Sequence, residues 1–181
     1  MDFVFLDHRP IIGAVAGPNG AGKTTFFHTH LSDTGLRFVN ADDIARELEM
    51  DAYEAAEISA ALRHALVNRK ESFVFETVFS DPVGDKVRFL RDAVDLGYEV
   101  VLVFIQITDA EMSTDRVSIR VAQGGHDVPD EKLKSRFPRT QVNLQRAIDE
   151  LPHVLIFDNS MASQPFRHVA TYRNGTHVEP D

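Results

Sequence analysis

The chain contains no cysteine, which excludes a disulfide framework and any thiolate-bound metal. It is also short of positive charge. Its 19 lysines and arginines stand against 28 aspartates and glutamates, a formal net charge of −9. A broad nucleic-acid-binding face is therefore not expected, although the balance leaves room for a local basic pocket. Long apolar runs are missing. The longest, Val100 to Ile107, is broken by Gln106 and is too short to span a bilayer. Asp2, Asp7, His8 and Arg9 interrupt the N-terminus, so no cleavable signal peptide is read there. A cytoplasmic protein without membrane contact is the expectation. The 8 histidines show no ligand-like spacing, and His28 and His30, either side of Thr29, are not read as a metal pair. No internal repeat, linker or second domain is evident.

What is present suffices for one substantial core: 181 residues, 43% of them hydrophobic, on the scale of a single α/β domain. Apolar, β-rich segments at 11–16, 37–39, 73–76, 99–106 and 154–157 alternate with helical patterns at 23–31, 43–50, 54–70, 82–96, 109–122 and 131–150. Such alternation predicts a parallel sheet of about five strands with helices on both faces, a three-layer αβα fold. The run Val100–Ile105 is apolar without alternation, as a strand buried on both faces requires. Asp81 before Pro82 predicts an N-cap with proline at the first helical position. Thr108 and Glu111 have the spacing of a capping box. Pro138 is expected to kink the last helix. Asn174-Gly175 predicts a small C-terminal hairpin over about 166–178.

The most specific string is Gly17-Pro18-Asn19-Gly20-Ala21-Gly22-Lys23-Thr24, a complete G-x-x-x-x-G-K-[ST] phosphate-binding loop. It stands between the strand pattern Ile11–Ala16 and a helical segment, the context that gives the motif its meaning. Glycines allow backbone N–H groups to curl around a phosphate chain. Lys23 would reach the β- and γ-phosphates and Thr24 would hold Mg²⁺. The loop predicts a P-loop NTPase that takes ATP and Mg²⁺, without saying where the γ-phosphate goes.

Other letters narrow the subclass. There is no Asn-Lys pair to read guanine as in a common GTPase, and no Leu-Ser-Gly-Gly-Gln of an ABC ATPase. A small-molecule kinase needs a base beside the acceptor hydroxyl and cations over the moving phosphoryl group. Val39-Asn40-Ala41-Asp42-Asp43 ends the second strand, where an open parallel sheet offers its crevice. Asp42 is the candidate base and Asp43 the expected helix cap. Glu76 and Thr77 end the third strand and are candidates to bind the acceptor or to order Mg²⁺ through water. Arg116 and Arg120 share a helix face. The Gly124-Gly125…Pro129 break follows them, and Arg136 and Arg139 open the return helix. Residues 116–139 therefore read as a helical lid, with Arg120 and Arg136 as the phosphate contacts.

Gly17–Thr25, Val39-Asn40-Ala41-Asp42, Phe75-Glu76-Thr77, Gly124-Gly125-His126-Asp127-Val128-Pro129 and Asp158-Asn159-Ser160, in this order, resemble the zeta-toxin family of P-loop kinases. The resemblance spans about residues 10–160. It implies a kinase-like sheet of five parallel strands, ATP and Mg²⁺ as cosubstrates, and phosphoryl transfer to a small-molecule hydroxyl. In the best-known members the acceptor is UDP-N-acetylglucosamine and an antitoxin protein blocks the nucleotide site. By position, Lys23 takes the P-loop lysine's role, Asp42 the base's, and Glu76 that of the glutamate near substrate. Arg120 and Arg136 take the phosphate clamp, and Asn159 lines the nucleotide base pocket. Family members carry a further acidic substrate residue on the helix before the Glu76 strand; here that position falls near Ala60. Two other readings stay open: an ATP-controlled interaction module that transfers nothing, and a polynucleotide 5′-hydroxyl kinase.

Overall fold

A computed structural model describes residues 7–124 and 127–178. Five parallel strands form its centre: β1 (Ile11–Ala16), β2 (Arg37–Val39), β3 (Phe73–Thr77), β4 (Glu99–Gln106) and β5 (His153–Asp158). The expected hairpin also forms, as β6 (Arg167–Arg173) and β7 (Thr176–Val178), but it does not stand apart. It pairs antiparallel onto β5 at the edge of the five parallel strands, so the whole sheet has seven strands in the order β2-β3-β1-β4-β5-β6-β7. β6 is half-buried and weakly apolar, which is why composition alone does not place it in the sheet.

The strands divide the core into two layers because side chains alternate across a strand. Ile12, Ala14, Phe73, Phe75, Leu102 and Phe104 face one layer; Ile11, Val15, Val74, Val103 and Ile105 face the other. The first layer is covered by α3 (Ala52–Asn68), α4 (Asp85–Asp95) and α6 (Asp130–Glu150). In α4 the buried residues Val87, Leu90 and Ala93 recur every three positions, the stripe that an amphipathic helix turns inward. Each fully buried leucine or phenylalanine contributes about 1.5–3 kcal/mol. The second layer is covered by the segment after β1, through Phe26 and Phe27.

Several local expectations are corrected. The helix expected over 23–31 is α-helical only at α1 (Lys23–Phe26); Phe27–Leu31 widens into a π-helical turn. The helix after β2 is α2 (Ala41–Glu47), and its cap is Asn40, whose side chain accepts from the Asp42 N–H at 2.8 Å. Asp43 is not the cap; it pairs with Arg46 at 2.6 Å. α4 begins at Asp85, after Gly84 in the left-handed region, not at Pro82. Asp81 still supports that start, since its carboxylate accepts from the Asp85 N–H. For α5 (Ala110–Ala122) the cap is Asp109, accepting from the Met112 N–H at 2.8 Å, rather than Thr108. α6 runs unbroken through Pro138. Gly125 and His126, in the expected lid loop, lie outside the described residues. Among the described residues, no helix is long and apolar enough to cross a membrane.

Candidate active site

The strand order places the reversal of winding beside β1, whose two neighbours are β3 and β4. In open parallel sheets that reversal opens a crevice at the carboxyl ends of the strands. Register brings those ends level: Ala16 pairs with Thr77 on one side and Phe104 on the other. The loop 17–22 after β1, the β2–α2 turn and the end of β3 therefore share one rim.

The loop is held from outside. Ser113 on α5 donates to the Asn19 carbonyl at 2.7 Å, and the Asn159 side-chain amide donates to the Ala21 carbonyl at 2.8 Å. Arg116 reaches the Gly20 carbonyl at 3.4 Å and the Asn159 carbonyl at 2.8 Å. A trans peptide points its N–H opposite its C=O. The N–H groups of Gly20 and Gly22 are thus directed away from these anchors. Two glycines are obligatory. At Gly17, with φ +146°, a Cβ would lie 2.3 Å from the Ile105 carbonyl oxygen; at Gly22, with φ +90°, it would lie 2.7 Å from Asn159 Nδ2. Thr25, at the start of α1, is exposed.

Inside the rim, Lys23 is only 6% exposed. Its ammonium donates to the Pro18 carbonyl at 3.1 Å and stands 3.7 Å from Glu76 Oε1. Burial pulls its pKa below the usual lysine range; Glu76 and Asp42 oppose that, and Arg120 adds to it. Glu76 Oε2 accepts from the Thr24 hydroxyl at 2.7 Å and from the Asn40 side-chain amide at 3.2 Å. One carboxylate thus joins the loop, the β2–α2 turn and β3.

Two cavities meet at Asn40 and Asp42. The larger, about 710 Å³, is lined by Thr24 of the phosphate loop, Arg46 on α2 and Arg120 on α5. The smaller, about 200 Å³, is lined by Ser59, Arg63, Glu76, Thr77 and Lys86. A third space of about 490 Å³ lies beyond Thr77, with Lys132, Arg136 and Arg139 on its wall. The four candidate lid arginines are therefore divided. Arg120 faces the cavity that Thr24 faces; Arg116 serves as an anchor of the loop backbone; Arg136 and Arg139 line the outer space instead. Sequence reasoning passed over Ser113, Arg63 and Lys86 and gave Asn40 no role of its own. The one available signal was spacing: Ala56, Ser59 and Arg63 fall three and four apart on α3, hence on one face.

The donor set suits a nucleoside triphosphate with a hard divalent cation. A hydroxyl and a carboxylate oxygen lie together beside a buried ammonium, and Asn19 Oδ1 is buried without a hydrogen-bond partner among the described residues. Among the described residues no group of three or more His, Cys, Asp or Glu side chains gathers that could hold a metal by itself, so the cation would come with the nucleotide.

Fold and rim together define a P-loop, kinase-like α/β domain. Residues 14–140, more than half of the chain, match the family model described as "AAA domain", and the chain belongs to that family. Similar solved structures agree on the fold. The AvrRxo1-ORF1:-ORF2 complex with ATP superposes with a TM-score of 0.72 at 18% identity, over 95% of this chain and 61% of that one. A putative kinase from Chloroflexus aurantiacus gives 0.62 at 17% identity, over 87% and 92%. The PezAT toxin–antitoxin system of Streptococcus pneumoniae gives 0.61 at 17% identity, over 91% and 72%. The chain spans about three fifths of the AvrRxo1-ORF1:-ORF2 chain that it matches.

Proposed function

We propose that the protein is an ATP-dependent small-molecule kinase. The observation that carries the reading is Asp42, which lines both the cavity on the loop side and the smaller cavity on the far side. A base so placed can touch an acceptor in one space and orient it toward a phosphate in the other. Thr24 and Glu76 would hold Mg²⁺, and residues 17–25 with Asn159 would hold the nucleotide. When bound, Mg²⁺-ATP supplies the phosphoryl group. Asp42 accepts the proton of the acceptor hydroxyl as its oxygen bonds to the γ-phosphorus and the bond to the β-phosphate oxygen breaks, releasing ADP. Lys23 and Arg120 offset the charge on the phosphoryl oxygens. Arg136 closes over the phosphates only if α6 moves inward; Glu76 and Thr77 form the wall between acceptor and loop.

The finer reading is a kinase of the zeta-toxin type, acting on a nucleotide sugar such as UDP-N-acetylglucosamine and held in check by an antitoxin protein over the nucleotide crevice. The fold likeness to a toxin–antitoxin system supports the partner. The test is purified protein with Mg²⁺-ATP and a panel of nucleotide sugars, nucleosides and antibiotics, scored by mass for addition of a phosphoryl group. A phosphorylated acceptor whose yield collapses in Asp42→Asn is expected. ATP binding with no acceptor modified would overturn the kinase reading in favour of a nucleotide-controlled interaction module.

A further inference from the structure

Arg63 is a buried charge that the phosphate-loop rim does not account for. It lies in the middle of α3, 6% exposed, against the core. Its guanidinium sits over Phe75 at 4.9 Å and near Phe89 at 5.7 Å, and it donates to Ser59 Oγ at 2.9 Å. Its Nε has no hydrogen-bond partner among the described residues. Among the described residues no carboxylate lies within ion-pair distance of Arg63, although Asp42 and Glu76 line the same cavity. Glu76 is already taken up by Lys23, Thr24 and Asn40. Lys86, half-buried at the start of α4, lines the cavity too and makes no ion pair among the described residues.

This is a costly arrangement. A buried guanidinium normally comes with a carboxylate, because removing the charge from water costs several kcal/mol. The two ring faces offset part of that. Burial draws the Arg63 pKa down to about 10. It draws Lys86 down as well, with Arg63 adding repulsion against the pull of Asp81 and Asp85. Two cations that repel each other and share a cavity wall with spare hydrogen-bond donors are complementary to an anion.

We propose that Arg63 and Lys86 form an oxyanion subsite, so that the acceptor is a hydroxylated anion whose carboxylate or phosphate group is held there while its hydroxyl meets Asp42. This rests on the kinase reading of the same cavity and names the acceptor's chemical class. Arg63 is a specificity residue in this scheme: the oxyanion accepts from its guanidinium, the reacting hydroxyl does not.

The test is calorimetric titration of protein loaded with Mg²⁺ and a non-hydrolysable ATP analogue. The probes are a panel of hydroxylated compounds in matched neutral and anionic forms, such as glycerol, glycerate and glycerol 3-phosphate, or ribose and ribose 5-phosphate. At least one anion is expected to bind tenfold or more tightly than its neutral partner. Arg63→Gln should weaken that anion by about 10- to 100-fold, the loss of one or two charge-assisted hydrogen bonds, while leaving the ATP analogue within twofold. Lys86→Gln, at a half-exposed position, should weaken it about 3- to 10-fold and serves where Arg63→Gln does not fold. The matched carboxylates and phosphates distinguish the two oxyanions. Equal binding of neutral and anionic forms, no binding of any anion, or unchanged anion affinity in the two variants would overturn the subsite. Anion binding that depends on Arg63 but never leads to phosphoryl transfer would keep the subsite and overturn the kinase. Transfer to a neutral acceptor, unaffected by Arg63→Gln, would do the reverse.

Discussion

Thr24 donates its hydroxyl hydrogen to Glu76 Oε2 at 2.7 Å, across the boundary between the phosphate loop and the end of β3. The other oxygen of that carboxylate stands 3.7 Å from the Lys23 ammonium. Breaking a buried ion pair by removing one partner leaves an uncompensated charge, at about 3–5 kcal/mol. Glu76→Gln is expected to lower stability by up to that amount in denaturant titration and to abolish tight Mg²⁺-ATP binding. Lys23→Met combined with Glu76→Gln should lose less stability than the two single changes summed. A double-mutant coupling near zero would mean that the pair does not act as a unit.

Asp42 lines both cavities and forms no ion pair among the described residues. Asp42→Asn should lower turnover by about 10²- to 10⁴-fold, the usual range for loss of a general base, with the affinity for an ATP analogue within twofold. Undiminished product formation by this variant would rule Asp42 out as the base.

Arg116 and Arg120 lie one turn apart on α5 yet do different work. Arg116 bonds to loop and Asn159 carbonyls, whereas Arg120 faces the cavity of Thr24. Arg116→Ala should weaken nucleotide binding and lower Tm; Arg120→Ala should lower kcat about 10²-fold with a smaller effect on nucleotide affinity. Measuring kcat and Kd separately for each decides the matter, and an identical pattern in both would refute the division.

Gly22→Ala brings both a strained φ and a Cβ 2.7 Å from Asn159 Nδ2. Gly35→Ala brings a comparable φ, +67°, with nothing within 4 Å. The first should cost more than the roughly 1–3 kcal/mol of backbone strain and remove nucleotide binding; the second should cost only the strain. Parallel thermal unfolding and nucleotide titration would expose any equivalence of the two.

His153 begins β5 with its Nε2 2.7 Å from Glu99 Oε1. Burial pulls its pKa below the ordinary 6.5, and Glu99 opposes this without cancelling it. Between the folded value and 6.5 the unfolded chain therefore binds more protons, so this residue's contribution to stability falls as pH drops through that window and then levels off. The decline in Tm from pH 7.5 to pH 5 should be shallower in His153→Gln. A steeper decline would reverse the sign of the effect.

The fold was legible where one physical demand dominated. Val100–Ile105 needs burial on both faces, and Gly17–Thr24 needs left-handed backbone at fixed spacing; both read directly from the letters. Cap positions failed where several polar residues competed. Asn40 outdid Asp43 because it can accept from an N–H while also donating to Glu76. Arg63 was hard to read because an arginine in a helix of weak amphipathic pattern reads as solvent-facing; spacing puts it on one face with Ala56 and Ser59, but only the tertiary position of Phe75 and Phe89 shows that this face is buried. The division of Arg120 from Arg136 was hidden because spacing fixes a helix face but not the neighbour that face meets.

The hairpin carries a last consequence. Asn159 and Phe166 precede β6, and both lie against Gly22, while Phe166 also meets the Phe26 ring edge-on at 5.3 Å. The family match stops at residue 140, short of both. A recombinant fragment trimmed to the matched region would keep every letter of the phosphate-loop signature and forfeit the surface that moulds it. The smallest piece of this chain worth expressing is therefore set by the strand beyond β5.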